Sequence, residues 1–374
     1  MTATVGVKSP GSMDVIVERK VTPPAQLWAY LGALLLAGEV YLVVKWVTGP
    51  YFAHVSTGPS VPPTWMKIAI NSVEVVSVLG FLVWMYVFLV RPWRQSRQVT
   101  FMGQFSVALM LTSLYDPLSN YFQTWFTYNS YFVNRGNALS GIPGWVSYGR
   151  PGAMVAWPAI LVPTAYPWLL GGLGLIGAWV MKKAAARWPR RSGLFLIAVC
   201  FVFMMVVDFL IEGMGALRLG FWAYSGGPFA LNPSHFYKFP LNELFIAAAV
   251  FTAPASFIYF KNDHGQSIAE RGLDRVDRRR RGVVQFLAVF AVTQMILLVF
   301  FHLPSAVVSM NQSAWPKDVQ DRSYLTNHVC GAGTDRACPG PSIPASRPGS
   351  AYVSPSGGLV VPAHTSIPGL VPFK

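Results

Sequence analysis

The sequence predicts an all-α, polytopic transmembrane helical bundle of about seven spans, with the N-terminus in the cytoplasm and the C-terminus outside. Three observations predict it. Charged residues make up 12% of the chain and hydrophobic ones 53%, whereas a soluble domain carries about 25% charge. Apolar stretches near the roughly 20 residues that cross hydrocarbon recur at 27–48, 66–90, 100–122, 163–181, 193–213, 239–260 and 283–307. The cations between those stretches alternate from loop to loop.

Residues 1–26 hold Lys8, Arg19 and Lys20 and no apolar core of signal-peptide length, so they read as a cytoplasmic tail. Arg91, Arg94 and Arg97 follow the second span; Lys182, Lys183, Arg187, Arg190 and Arg191 follow the fourth. Lys261, Arg271, Arg275 and the run Arg278 to Arg281 follow the sixth. The loops between hold only Arg135, Arg150, Arg218 and Lys238. The positive-inside rule therefore sets the orientation, and an odd number of spans sends the C-terminus out. The net charge of +14 lies in these short clusters, not on one solvated face, which argues against a nucleic-acid partner. The expected partners are the lipid bilayer and a hydrophobic small molecule. The fourth span is the least clean: Pro158, Pro163 and Pro167 break its front, so 152–162 reads as an interfacial or re-entrant lead-in.

The domain of 27–307 is followed by residues 308–374, rich in Pro, Ser and Gly, which read as an extracytoplasmic, largely disordered tail. Within it Cys330 and Cys338 are either a disulfide or two free thiols, and Asn311 to Ser313 fits a glycosylation sequon. Cys200 lies in an apolar run as a core residue. Gly172, Gly174 and Gly177 spell a G-x-G-x-x-G, but inside a span such glycines let helices approach closely. His54, His235, His264, His302, His328 and His364 are scattered, and no metal-ligand spacing occurs, so neither metal nor cofactor is expected.

Carboxylates inside spans are costly and mark interiors or water-filled cavities. They are Glu39, Glu74, Asp116, Asp208, Glu212 and Glu243. Asn71 precedes Glu74 by three residues, Asp116 precedes Asn120 by four, and Asp208 precedes Glu212 by four, so each pair is expected on one helical face. With the topology applied, all but Glu39 fall in the outer half of the membrane. The adjoining loops are aromatic: 121–149 includes Tyr121, Trp125, Phe126, Tyr128, Trp145 and Tyr148, and 221–239 includes Trp222, Tyr224, His235 and Tyr237. An interfacial belt explains some of these rings. An outward-facing cavity lined by acids and aromatic rings explains them together, with helix–helix glue as the competing account of the acids.

The segments Tyr115-Asp-Pro-Leu-Ser-Asn-Tyr-Phe122 and His235-Phe-Tyr-Lys-Phe-Pro-Leu-Asn-Glu243 resemble signature segments of the AveC-type spirocyclases. Asp208 and Glu212, Trp222-Ala-Tyr224 and Gly272-Leu-Asp-Arg275 add to the resemblance, which covers roughly 27–307. It implies a membrane-embedded, cofactor-free enzyme of secondary metabolism in a bacterial cell membrane. The name-giving member forms the spiroketal of avermectin, a polyketide. Spiroketal formation needs one protonated and one ionised carboxyl, and a like-charged apolar pocket can divide the roles. The resemblance thus implies a catalytic set of Asp116, Asp208, Glu212, His235 and Glu243. Asp208 and Glu212 share a proton, Asp116 or Glu243 faces the cation, and His235 relays. Glu74, Asn120, Tyr121, Trp222 and Tyr237 would contact substrate. The alternative is a proton-coupled transporter or flippase of a lipid-like molecule, against which stand the lack of an internal repeat and acids lying off the midplane. A retinal protein is disfavoured because 283–307 has no Lys.

Overall fold

The computed structural model describes residues 22–142, 145, 150–227, 229–311, 313–343 and 350–362. Most of the N-terminal tail, Tyr148, Gln312 of the sequon, His364 and the end of the C-terminal tail lie outside the described residues.

Helix α1 (Pro24–Val47) starts on a proline, whose missing N–H costs nothing in a first turn. Helix α2 (Thr64–Met85) continues through a π-turn at Tyr86–Val90 into α3 (Arg91–Ser96) and ends at Arg97, in the left-handed region. Helix α4 (Phe101–Thr112) is capped by Thr100, whose hydroxyl accepts from the Gly103 N–H at 3.2 Å. Beyond Thr112 it tightens into a 3₁₀ helix, Ser113–Asn120. Pro117 has no N–H to offer the Ser113 carbonyl, and that carbonyl accepts instead from the Trp157 indole at 3.0 Å. Helices α5 (Leu161–Arg187), α6 (Gly193–Asp208), α7 (Leu241–Tyr259) and α8 (Arg281–Leu297) complete the bundle. A π-turn at Phe209–Ala216 extends α6, and another at Leu298–His302 leads α8 into α9 (Leu303–Ser309).

Among the described residues six helices are long and apolar enough to cross a membrane. The continuous run from Phe101 to Asn120 supplies the seventh segment, too short as pure α-helix to count with them. Large apolar side chains such as Leu34, Val83, Leu194 and Val202 are exposed on the outside of the bundle. Only lipid makes that surface favourable, so this is an integral membrane protein. Within the stretch 152–162, Ala153 to Trp157 are buried in irregular structure, and α5 starts at Leu161, before Pro163 and Pro167.

Helix α5 lies at the centre, packed on α2, α4, α6 and α7, while α8 joins α1 to α4. Small residues set the closest approaches. A Cβ on Gly32 would sit 2.0 Å from the Leu287 carbonyl oxygen, so α1 can lie against α8 only with glycine there. Gly177 meets Ala255, Met204 and Cys200 where α5, α6 and α7 converge, and a Cβ would fall within 3 Å of all three.

The basic loops gather at one end. Arg97, Arg278 and Arg281 border one cleft, the Ala25 N–H donates to Arg271 O at 3.0 Å, and Phe260 packs over Gly193. At the other end β1 (Phe126–Tyr128) pairs antiparallel with β2 (Trp222–Tyr224), Tyr128 opposite Trp222. A smaller pair, β3 (Ala230–Leu231) and β4 (Phe239–Pro240), lies beside it in sequence.

Among the described residues after 308, folded structure occurs where composition suggested disorder. Helices α10 (Lys317–Gln320) and α11 (Ser323–Thr326) bury Trp315, Val319, Tyr324 and Leu325 against Met66, Ile70 and Phe132. Cys330 and Cys338 form a disulfide in the same cluster. Further on, Tyr352–Val353 pairs with Leu359–Val360 as β5 and β6. This segment clamps β1. The Thr127 hydroxyl donates to Leu325 O at 2.6 Å, and Asn327 donates to Tyr128 O at 2.9 Å while accepting from the Ala156 N–H at 2.8 Å. Tail composition averages over the whole segment and so hides these few buried anchors.

Candidate active site

Four elements bring four carboxyls to one cavity of about 140 Å³ under the β1–β2 ribbon. Asp116 comes from the 3₁₀ turn after α4, Asp208 from the last residue of α6, Glu212 from the following π-turn and Glu243 from the first turn of α7. All four are buried, and the remaining walls are mostly apolar or aromatic, including Leu170, Val250 and Leu297.

The four differ in how they are held. Asp116 accepts from two phenols, Tyr128 at 2.7 Å and Tyr166 through a very short bond. Glu212 Oε1 accepts from the Trp222 indole at 2.5 Å and from the Tyr224 hydroxyl at 2.7 Å. The carboxyls of Asp208 and Glu212 contact each other, and Tyr224 also stands beside Glu243. Asp208 Oδ2 and Glu243 Oε2 are buried without a protein partner among the described residues. Burial, and then the charge of Asp116, hold the Tyr128 phenol well above its ordinary pKa; burial and Glu212 do the same for Tyr224. Both phenols therefore remain protonated donors at any physiological pH.

Asp116, Asp208, Glu212, Glu243 and Trp222, singled out from sequence, all line this cavity. The others do not. His235 is exposed, stacked on Tyr237 at 4.8 Å, and Tyr237 itself lies under the Arg218 guanidinium. Asn120 is buried, but its side-chain oxygen accepts from the N–H groups of Trp125 at 2.5 Å and Phe126 at 3.0 Å, shaping the turn into β1. Tyr121 packs edge-on against Phe122 and Trp145. Glu74 accepts from the Val133 N–H at 3.1 Å and so ties α2 to the loop after β1. Sequence reasoning missed Tyr166 altogether. It saw Tyr128 only as an aromatic loop residue and Tyr224 only as part of a family-like segment, because a phenol's partner across the bundle leaves no mark on local sequence.

A model of the spirocyclase AveC-like family matches residues 96–325. The chain belongs to that family. No curated protein and no solved structure matches it. The matched stretch contains every residue lining the cavity and runs into the folded tail as far as Leu325, further than the expected limit near 307. Helices α1 and α2 and the disulfide lie outside it. Within the spirocyclase AveC-like family, the cavity acids and their indole and phenol donors are thus part of the matched region. Membership supports a spirocyclase-like role in general terms.

Proposed function

We propose that this chain is a membrane-embedded, cofactor-free enzyme that cyclises and dehydrates a hydroxy-ketone of polyketide or lipid-like character by acid catalysis. One observation carries the reading: four acids from four elements share a buried cavity, and two of them keep an oxygen without a protein partner among the described residues. Acids serving only as helix glue have no reason to converge from four elements on one cavity, where like charges disfavour one another's ionised forms.

A substrate hydroxyl adds to the ketone carbon and its proton passes to the carbonyl oxygen, giving a hemiketal. Protonation of the hemiketal hydroxyl expels one water and leaves an oxocarbenium ion. A second hydroxyl attacks that carbon and gives up its proton, which restores the acid. Asp208 and Glu212, two carboxyls in contact, hold a proton between them and deliver it. Asp116, fixed by two phenols, faces the developing cation, and Glu243, beside the Asp208–Glu212 pair, takes up the final proton and passes it back to that pair. The face of Trp222 adds a cation–π attraction of about 0.5–2 kcal/mol.

Incubating purified protein with lipid extracts of its host, followed by mass spectrometry, tests this. The expected product has lost one water. An unchanged mass with movement of material across vesicles would indicate a transporter instead.

The gathering of the basic loops supports an orientation with that end in the cytoplasm of a bacterial cell and the cavity near the outer surface. An Arg94→Cys or Arg187→Cys variant is expected to resist an impermeant thiol reagent applied to intact cells. Labelling from outside would reverse the orientation.

A further inference from the structure

We propose that the cavity opens sideways into the bilayer at Ile211, and that the substrate is a membrane-dissolved, chain-bearing amphiphile. Its oxygenated end would reach the acids while its apolar remainder stays in lipid. The proposal rests on the cavity being the site of reaction and adds the route and shape of the substrate.

Three observations carry it. First, the cavity is roofed on the loop side. Phe126, Tyr128 and Tyr224 of the ribbon are buried, and the tail is hydrogen-bonded across β1 through Thr127 and Tyr128. Second, among the described residues Ile211 alone of the lining side chains counts as exposed, at 41%. It stands on the segment Gly193–Ala216, long and apolar enough to cross a membrane, beside exposed Leu210 and Met214. An opening there faces hydrocarbon, not water. Third, the space is small. About 140 Å³ is close to the ~150 Å³ of a cavity that accommodates one benzene ring, so the bulk of a polyketide chain must remain outside through the mouth. Asp208, Ile211 and Glu212, spaced i, i+3 and i+4, share one helical face, so Ile211 sits at the rim beside the two inward carboxyls.

The test needs no turnover. Ala247 is 3% exposed and lines the cavity. Cys200 is buried and the other two cysteines are joined, so the parent chain sets a low background for an Ala247→Cys variant in lipid vesicles. N-dodecylmaleimide, dissolved in the bilayer, offers a small reactive ring on an alkyl chain. It is expected to label Ala247→Cys, and adding Ile211→Trp should slow labelling by about tenfold or more, as reactivity follows access. Adding Ile211→Ala should leave labelling as fast or faster, which guards against a misfolded tryptophan variant. A water-soluble trimethylammonium methanethiosulfonate should label Ala247→Cys at least about tenfold more slowly than it labels exposed Ser234→Cys. Labelling indifferent to Ile211→Trp, no labelling by the maleimide in folded protein, or fast labelling by the aqueous cation would each overturn the lateral mouth. Repeating the assay with Asp208→Asn separates the two readings, since labelling should persist there even if the acids prove to have no catalytic role.

Discussion

Replacing Asp208, Glu212 or Glu243 by its amide is expected to lower turnover by about 10²–10⁴-fold, the usual worth of general acid–base catalysis, with the fold retained. The structure explains why folding should survive. An amide at Glu212 keeps an oxygen for the Trp222 and Tyr224 donors, and Asp208 Oδ2 and Glu243 Oε2 have no protein partner among the described residues to lose. What the amide cannot do is hand over an acidic proton. Glu39→Gln is the control. Glu39 is also a buried carboxylate in a span, but it lies on α1 outside the cavity lining, and its amide should leave turnover close to that of the parent. If all three cavity amides kept full activity in properly folded protein, the acids would be packing residues and the case for an enzyme would fall. Helix glue predicts that outcome, because amides hydrogen-bond across helices as well as acids do.

Asp116→Asn should behave differently, losing stability as well as turnover. Its two oxygens accept from the buried Tyr128 and the half-buried Tyr166, and an amide offers only one acceptor oxygen. One phenol must then rotate away or stay unpaired, a cost of about 1–3 kcal/mol. Thermal unfolding in detergent should show Asp116→Asn clearly less stable than Asp208→Asn. Adding Tyr128→Phe or Tyr166→Phe to Asp116→Asn should cost less than the same change in the parent, since the orphaned donor is removed along with its hydroxyl. Strict additivity would mean that the phenols do not hold Asp116, and the division of labour among the acids would need revision.

Asp116 and Asn120 are expected on one helical face, yet they point to different places. Four residues apart on an α-helix, they share a face. Pro117 turns the segment into a 3₁₀ helix with about three residues per turn, where a separation of four no longer aligns side chains. Asp116 lines the cavity and Asn120 turns to the start of β1. Asp208 and Glu212 kept their contact despite the π-turn that begins between them. The family-like segment His235 to Glu243 divided in the same way. Glu243 enters the cavity on α7, while His235 remains exposed in the preceding loop. Sequence identified the segment, but not which of its residues turn inward.

By itself the sequence determined that this is a helical membrane protein of about seven spans, where those spans lie, and that acids occur inside them. Hydropathy and loop charge act along the chain, over lengths fixed by the thickness of the bilayer, so they can be read in one dimension. Tertiary structure alone decided that four of those acids meet, that Tyr166 and Tyr128 hold Asp116, and that a Pro- and Ser-rich tail folds over β1. Those outcomes depend on side-chain direction after 3₁₀ and π-turns and on partners dozens to hundreds of residues away. Helix packing sets such contacts, and local composition carries no trace of them.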